Sequence, residues 1–284
     1  MKLNIKNISL YSLLCLSGAA LTSCEDFLDR QPITSVTPEA YFTTASQVGA
    51  YVNNYYNDYL QNSQGQSLYH RSDWNAGIAN NDQYTDNFVE SDVSNGSNLA
   101  YFNGQWESSA GQNLITDYGR IRVWNYLITT IEPKLESIQD DDGNLTHYLG
   151  EAYFFRAMAY YNALVKFGDL PIITEVLPNE EGYLQENSVR APRNKVARFI
   201  LSDLDKAIER LNDAGFQNNQ RINKQTAQLF KSRVALFEGT FEKYHQGTGR
   251  VPGDANWPGG TFEGNIQDEI NFFFDQAMAA ASAV

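Results

Sequence analysis

The chain has 284 residues, 34 of them acidic and 21 basic, for a formal net charge of −13. That balance argues against nucleic-acid binding, and an apolar share of 42% rules out global disorder. Cys15 and Cys24 are the two cysteines, too few for a disulfide framework or a thiolate metal cluster in the part beyond a leader.

Lys2 and Lys6 precede an apolar stretch, 8–21, that is shorter and more serine-rich than a membrane span. Leu21-Thr22-Ser23-Cys24 closes it and resembles a bacterial lipobox. In that pattern a small residue admits the signal peptidase and the cysteine becomes an acylated N-terminus. We expect residues 1–23 to be a removed signal peptide and Cys24 to carry the lipid. Each buried methylene contributes roughly 0.8 kcal/mol, so two or three acyl chains hold a protein on a bilayer without a transmembrane helix. The alternative is an ordinary secretory leader with an incidental cysteine. Cleavage takes two lysines and no acid, leaving 19 basic against 34 acidic residues, a charge of −15.

Residues 24–36 show neither helical nor strand period and read as a lipidated tether. Thr37-Pro38-Glu39 has a capping hydroxyl, proline at a first helical position and an acid beside the positive helix end. Val48, Tyr51, Val52, Tyr55 and Tyr59 then recur at helical spacing and predict a helix over 45–60. From 61 to 112 the chain turns to Asn, Asp, Ser and Gly with scattered aromatics, a long irregular segment of the kind that carries function or moves. Leu114, Tyr118, Ile121, Trp124, Ile128, Ile131, Leu135 and Ile138 predict one long helix ending at the polar turn 140–144. Further helices are expected over 146–167, stopped by Gly168 and Pro171, and over 194–212, 223–244 and 266–284. Ile172-Ile173-Thr174 is a fragment of strand pattern. Paired amphipathic helices with small residues such as Gly150, Ala152, Ala159 and Ala163 predict an all-α fold, an α-solenoid of the tetratricopeptide type with long irregular loops. The last run stops without cap or breaker, and we expect this to be the N-terminal part of a longer protein or a truncated reading frame.

There is no phosphate-binding Gly-x-x-x-x-Gly-Lys loop, no Gly-x-Ser-x-Gly elbow and no His-Glu-x-x-His helix in the sequence. His70, His147 and His245 are far apart and none has a second ligand at metal spacing, so we read them as surface or packing residues. A calcium loop at Asp140-Asp141-Asp142-Gly143 would put Ile138 and Leu149 at ligand positions, so it is a polar turn. No metal or cofactor is expected. The irregular segment holds Trp74, Tyr84, Tyr101, Phe102 and Trp106 among Asn80, Asn81, Asp82, Asn103 and Gln105. Aromatic faces stack on the C–H patches of a sugar while amides and carboxylates bond its hydroxyls. The alternative is that Tyr101 and Trp106 pin the loop to the first helices. Asp73, Asp82, Asp86, Glu90 and Asp92 are the carboxylates a glycosidase would draw on, but sequence pairs no two of them.

Five stretches together resemble the SusD/RagB family of outer-membrane nutrient-binding lipoproteins of Bacteroidetes. They are Cys24-Glu25-Asp26-Phe27-Leu28-Asp29, Thr37-Pro38-Glu39-Ala40-Tyr41-Phe42, Tyr118-Gly119-Arg120-Ile121 with Asn125, Gly150-Glu151-Ala152-Tyr153-Phe154-Phe155-Arg156-Ala157 running to Leu170-Pro171, and Asp203-Leu204 with Ala235-Leu236-Phe237-Glu238-Gly239-Thr240-Phe241. The resemblance implies a helical, tetratricopeptide-containing SusD-like domain over 37–284, anchored outside the outer membrane as the lid of a SusC-type TonB-dependent transporter. It implies capture of an oligosaccharide, or in some members a peptide, without catalysis. Glu25 and Asp26 resemble the surface-export signal of such lipoproteins. Asp82 best matches the family's acidic ligand position, and Trp106 lies near its aromatic platform. Asn81, Trp74, Tyr84 and Tyr101 are added on chemistry alone. The competing readings are a lipid-anchored scaffold that binds only protein and a surface glycosidase.

Overall fold

In the computed structural model the described residues are 41–59, 110–259 and 261–284. The chain divides into two compact units, Met1–Phe42 and Thr43–Val284. Of the first only Tyr41 and Phe42 are described, their rings edge to face at 4.9 Å. The helices and strands named below all belong to the second.

Helix α1 is Ala45–Tyr59, α2 Ala110–Ile131, α3 Leu145–Phe167, α4 Glu181–Asn187, α5 Arg193–Arg210, α6 Lys224–His245 and α7 Ile266–Ser282. A two-residue antiparallel ladder joins β1, Leu170–Pro171, to β2, Arg190–Ala191. Local chemistry explains the helix starts. Thr44 and Gln47 form a reciprocal capping box, the Gln47 Oε1 accepting from the Thr44 amide at 3.1 Å and the Thr44 hydroxyl accepting from the Gln47 amide at 3.4 Å. Asn223 caps α6 by accepting from the Thr226 amide at 2.9 Å, and Asn265 caps α7 by accepting from the Gln267 amide at 2.8 Å. The turn at 140–144 is a cap too, with Asp140 accepting from the amides of Asn144 and Leu145 at 2.9 and 3.1 Å.

Two expectations change. The helix expected over 114–138 ends at Ile131 and passes into a 3₁₀ turn, Glu132–Lys134. Pro133 has no amide hydrogen, and its ring clashes with the turn before it. The chain then returns beside α1, where Gln139 bonds Thr43 and Ala45 through its backbone at 2.9 and 2.8 Å. The short ladder sits at Leu170–Pro171, directly before the fragment at 172–174, and α4 comes after it where the sequence pattern predicts no helix.

The helices pack in succession: α3 touches α1, α2 and α5, α5 touches α6, and α6 touches α7. This is the all-α, tetratricopeptide-like succession expected of the sequence, each helix burying a stripe on its neighbour. Helix α3 is the axis and is buried on every side from Tyr148 to Tyr161, so its apolar pattern is broader than one stripe. Trp124 and Phe155 stack at 5.2 Å, and Tyr56 meets Phe155 edge to face at 5.0 Å. Close approach requires glycine at two crossings. A Cβ on Gly49 would lie 2.7 Å from the Tyr148 ring, and one on Gly150 would lie 3.0 Å from the Arg210 side chain. Among the described residues no helix is long and apolar enough to cross a membrane.

Candidate functional site

The residues singled out for ligand binding, Trp74, Asn81, Asp82, Tyr84, Tyr101 and Trp106, lie outside the described residues, as does Cys24. What the structure does show is the helical scaffold on either side of that segment in the chain, and two open clefts on it.

The motif residues of the sequence build buried polar joints. Arg156, 2% exposed, forks Asp203 at 2.7 and 2.8 Å and reaches the Asn125 Oδ1 at 3.0 Å. The other end of Asn125 donates to the Ile173 carbonyl at 2.8 Å, and Tyr160 hydroxyl and Ile173 backbone bond each other in both directions at 2.7 and 2.9 Å. Tyr118 donates to the Pro171 carbonyl at 2.5 Å. Burial raises both phenols well above their ordinary pKa, so they stay protonated donors. Tyr118 and Asn125 of α2 and Tyr160 of α3 therefore hold the strand-like segment 171–173 in place, with Arg156 and Asp203 bracing Asn125 from behind. A second joint centres on buried Glu151, which Arg221 forks at 2.9 and 2.5 Å and to which Tyr56 donates. His147 Nδ1 accepts from the Asn212 amide at 3.1 Å, so its Nε2–H faces Glu151 at 3.2 Å. His147 is thus a packing residue. His245 stacks on Phe241 at 4.1 Å and bonds the carbonyl of that residue at 2.9 Å. Among the described residues no group of three or more His, Cys, Asp and Glu side chains is placed to hold a metal ion.

The first cleft, about 410 Å³, is walled by Tyr118, Arg122 and Asn125 of α2, by Ile173 of the segment those joints hold, and by Glu175 and Leu184 further along the chain, Leu184 on α4. It mixes a phenol edge, an amide and opposite charges with apolar wall. The second, about 400 Å³, lies where α3 ends and α5 begins, against the loop after α6. Lys166, Arg190, Arg193 and Arg250 border it with Asp169 and Trp257. Arg193 forks Glu238 at 2.8 and 2.7 Å, its amide donates to Asp169 at 2.9 Å, and its guanidinium sits 3.3 Å over the Phe241 ring. Both clefts fall within the usual volume for small-ligand sites. Sequence reasoning missed them because their walls come from segments far apart in the chain. The signals available were weak: arginines in an acidic chain, and Trp257 in a Gly- and Pro-rich loop.

The chain matches the SusD-like family described as starch-binding and associating with the outer membrane, over residues 26–236. It is 25% identical over 239 residues to SusD-like protein P38 of Formosa agariphila, covering 84% of this chain and 44% of that one. It is 27% identical over 232 residues to SusD-like protein P2 of the same organism, covering 78% and 42%. The chain therefore spans less than half the length of these curated relatives. Its fold is similar to the crystal structures of two Bacteroides fragilis proteins. One is a SusD-like protein, at TM-score 0.57 and 22% identity, covering 75% of this chain and 38% of that one. The other is a SusD-like carbohydrate-binding protein, at TM-score 0.50 and 18% identity, covering 71% and 39%. By its motifs, its helical succession and a family match over most of its length, the chain belongs to the SusD-like family.

Proposed function

We propose that this protein captures an oligosaccharide at the cell surface and delivers it to a SusC-type TonB-dependent outer-membrane transporter, without transforming it. The observation that carries this reading is the match over residues 26–236 to a family described as starch-binding and outer-membrane associated. The scaffold supports it: buried ion pairs and tyrosine bonds hold the chain segments that wall an open cleft of about 410 Å³. A binding protein needs a rigid frame, because ordering a loose one on contact would subtract from affinity. Cys24 carries the lipid in this proposal, and Asp82, Asn81, Trp74, Tyr84, Tyr101 and Trp106 supply the sugar contacts.

Calorimetric titration of the protein with a panel of neutral and charged glycans tests the capture step. Trp106→Ala should weaken binding by about 1–3 kcal/mol if the indole is a stacking platform. No binding to any glycan, or full binding after both Trp106→Ala and Asp82→Ala, would refute the assignment. Peptide binding without glycan binding would replace the ligand class, and release of reducing ends from polysaccharide would replace capture by catalysis. Co-purification of a transporter with the wild-type protein, lost on Cys24→Ala, tests delivery and anchoring together.

A further inference from the structure

We propose that the cleft between the α3–α5 junction and the loop after α6 is a binding subsite for an anionic group carried on a saccharide, a carboxylate or a sulfate ester. The cations converge on it from three separate stretches of chain: Lys166 ends α3, Arg190 lies in β2 and Arg193 opens α5, and Arg250 projects from the loop. Asp169 is the one acid on that wall, and its carboxylate already accepts the Arg193 amide at 2.9 Å. In a chain of net charge −13 such a concentration of positive charge runs against composition.

Engagement separates these cations. Lys166 pairs with Asp117 at 3.1 Å and Arg193 with Glu238 at 2.7 Å. Arg190 and Arg250 are exposed, and among the described residues neither has an ion-pair partner. The two bonds to Glu238 use the Nε and Nη2 of Arg193, and its Nη1 lies toward Gly168 on the cleft wall, 3.6 Å from where a Cβ there would stand. Arg193 therefore offers a fixed donor at the base of the cleft, with two guanidiniums at its rim that pair with no acid among the described residues.

The loop is built to hold Arg250 there. Asp254 accepts from the amides of Gly247, Gly249 and Val251 at 2.8, 3.2 and 3.4 Å, closing the chain around its carboxylate on both sides of Arg250. Gly247 and Gly249 take φ of 78° and 74°, a conformation that favours glycine. The acid nearest Arg250 in sequence thus turns its oxygens to backbone amides, and among the described residues it forms no ion pair with the guanidinium. Trp257 and Pro258 add an apolar wall beside these donors. Planar guanidinium forks match the geometry of carboxylate and sulfate oxygens, and an adjoining apolar wall suits the C–H face of a sugar ring. Phe241 does not supply that face, since Arg193 and His245 both stack on it.

The saccharide half of this inference rests on glycan capture, and the anion half rests on the cleft. The test is calorimetric titration of the full chain with trigalacturonate, its methyl-esterified neutral form, a sulfated galactan disaccharide and sodium sulfate alone. The parent protein should bind one of the charged sugars about tenfold or more tightly than the neutral ester. That binding should weaken with salt, and which charged sugar binds separates carboxylate from sulfate. In the double variant R190Q/R250Q, whose exposed positions leave the core untouched, it should fall by about tenfold or more while any neutral-glycan binding is unchanged. Equal binding of acid and ester, or full retention by the double variant, would overturn the proposal. Sodium sulfate binding as tightly as the charged sugar would overturn its saccharide half. Neutral glycans bound and charged ones refused would refute this subsite alone, whereas refusal of every sugar would refute glycan capture with it.

Discussion

Glu242 lies fully buried on α6, and neither carboxylate oxygen makes a hydrogen bond among the described residues. Glu238 on the same helix and Glu269 on α7 face it with like charge, and Arg193 and Arg198 on α5 with opposite charge. Both arginines are already engaged, Arg193 with Glu238 and Arg198 with Glu269, each at 2.7 Å. Burial first, then the charges of Glu238 and Glu269, push the Glu242 pKa from 4.5 up to about 9. Between those two values the folded chain holds a proton that the unfolded chain has released, so rising pH favours unfolding. At pH 7 the difference of about 2.5 units amounts to about 3 kcal/mol of lost stability, at 1.36 kcal/mol per unit. Glu242→Gln keeps the shape and removes the charge at every pH. Parent and variant should unfold almost alike near pH 5, with the variant about 3 kcal/mol more stable at pH 7. In urea, followed by circular dichroism, that is a midpoint shift of about 1 M or more. Parallel pH–stability curves for the two proteins would refute the reasoning.

Other substitutions probe the frame. Arg156→Ala leaves Asp203 buried and unpaired and should cost about 3–5 kcal/mol in the same urea assay, whereas the paired change R156M/D203L should recover most of it. Gly49→Ala and Gly119→Ala should move in opposite directions. A Cβ on Gly49 drives into the Tyr148 ring at 2.7 Å and should cost about 1–3 kcal/mol, while Gly119 has nothing within 4 Å and should gain about 0.5–1 kcal/mol from helix propensity. Asn265→Ala removes the α7 cap and should lower stability by about 1 kcal/mol, read as a lower thermal midpoint.

The helices were legible because their causes are local. Val48, Val52 and Tyr55 recur within α1, Asn223 and Asn265 stand where α6 and α7 start, and Gly168 comes directly after α3 with φ of 70°. The end of α2 was misplaced because the apolar period runs on through Leu135 and Ile138, while Pro133 breaks the hydrogen-bond ladder whatever the period does. The family motifs were visible as letters, but not their task. Arg156 meets Asp203 across 47 positions and Tyr118 meets Pro171 across 53, separations that no local pattern encodes.

By itself the sequence determined the order and type of the long helices and membership of a family of helical repeats, since periodicity, caps and spacing act within a few residues. Only the tertiary structure decided which motif side chains become buried joints, that among the described residues Glu242 makes no hydrogen bond between engaged ion pairs, and that Arg190, Arg193 and Arg250 converge on one cleft. Those outcomes depend on which helix faces lie against each other. Partner choice among charged groups is settled by distance and burial after packing, not by position along the chain.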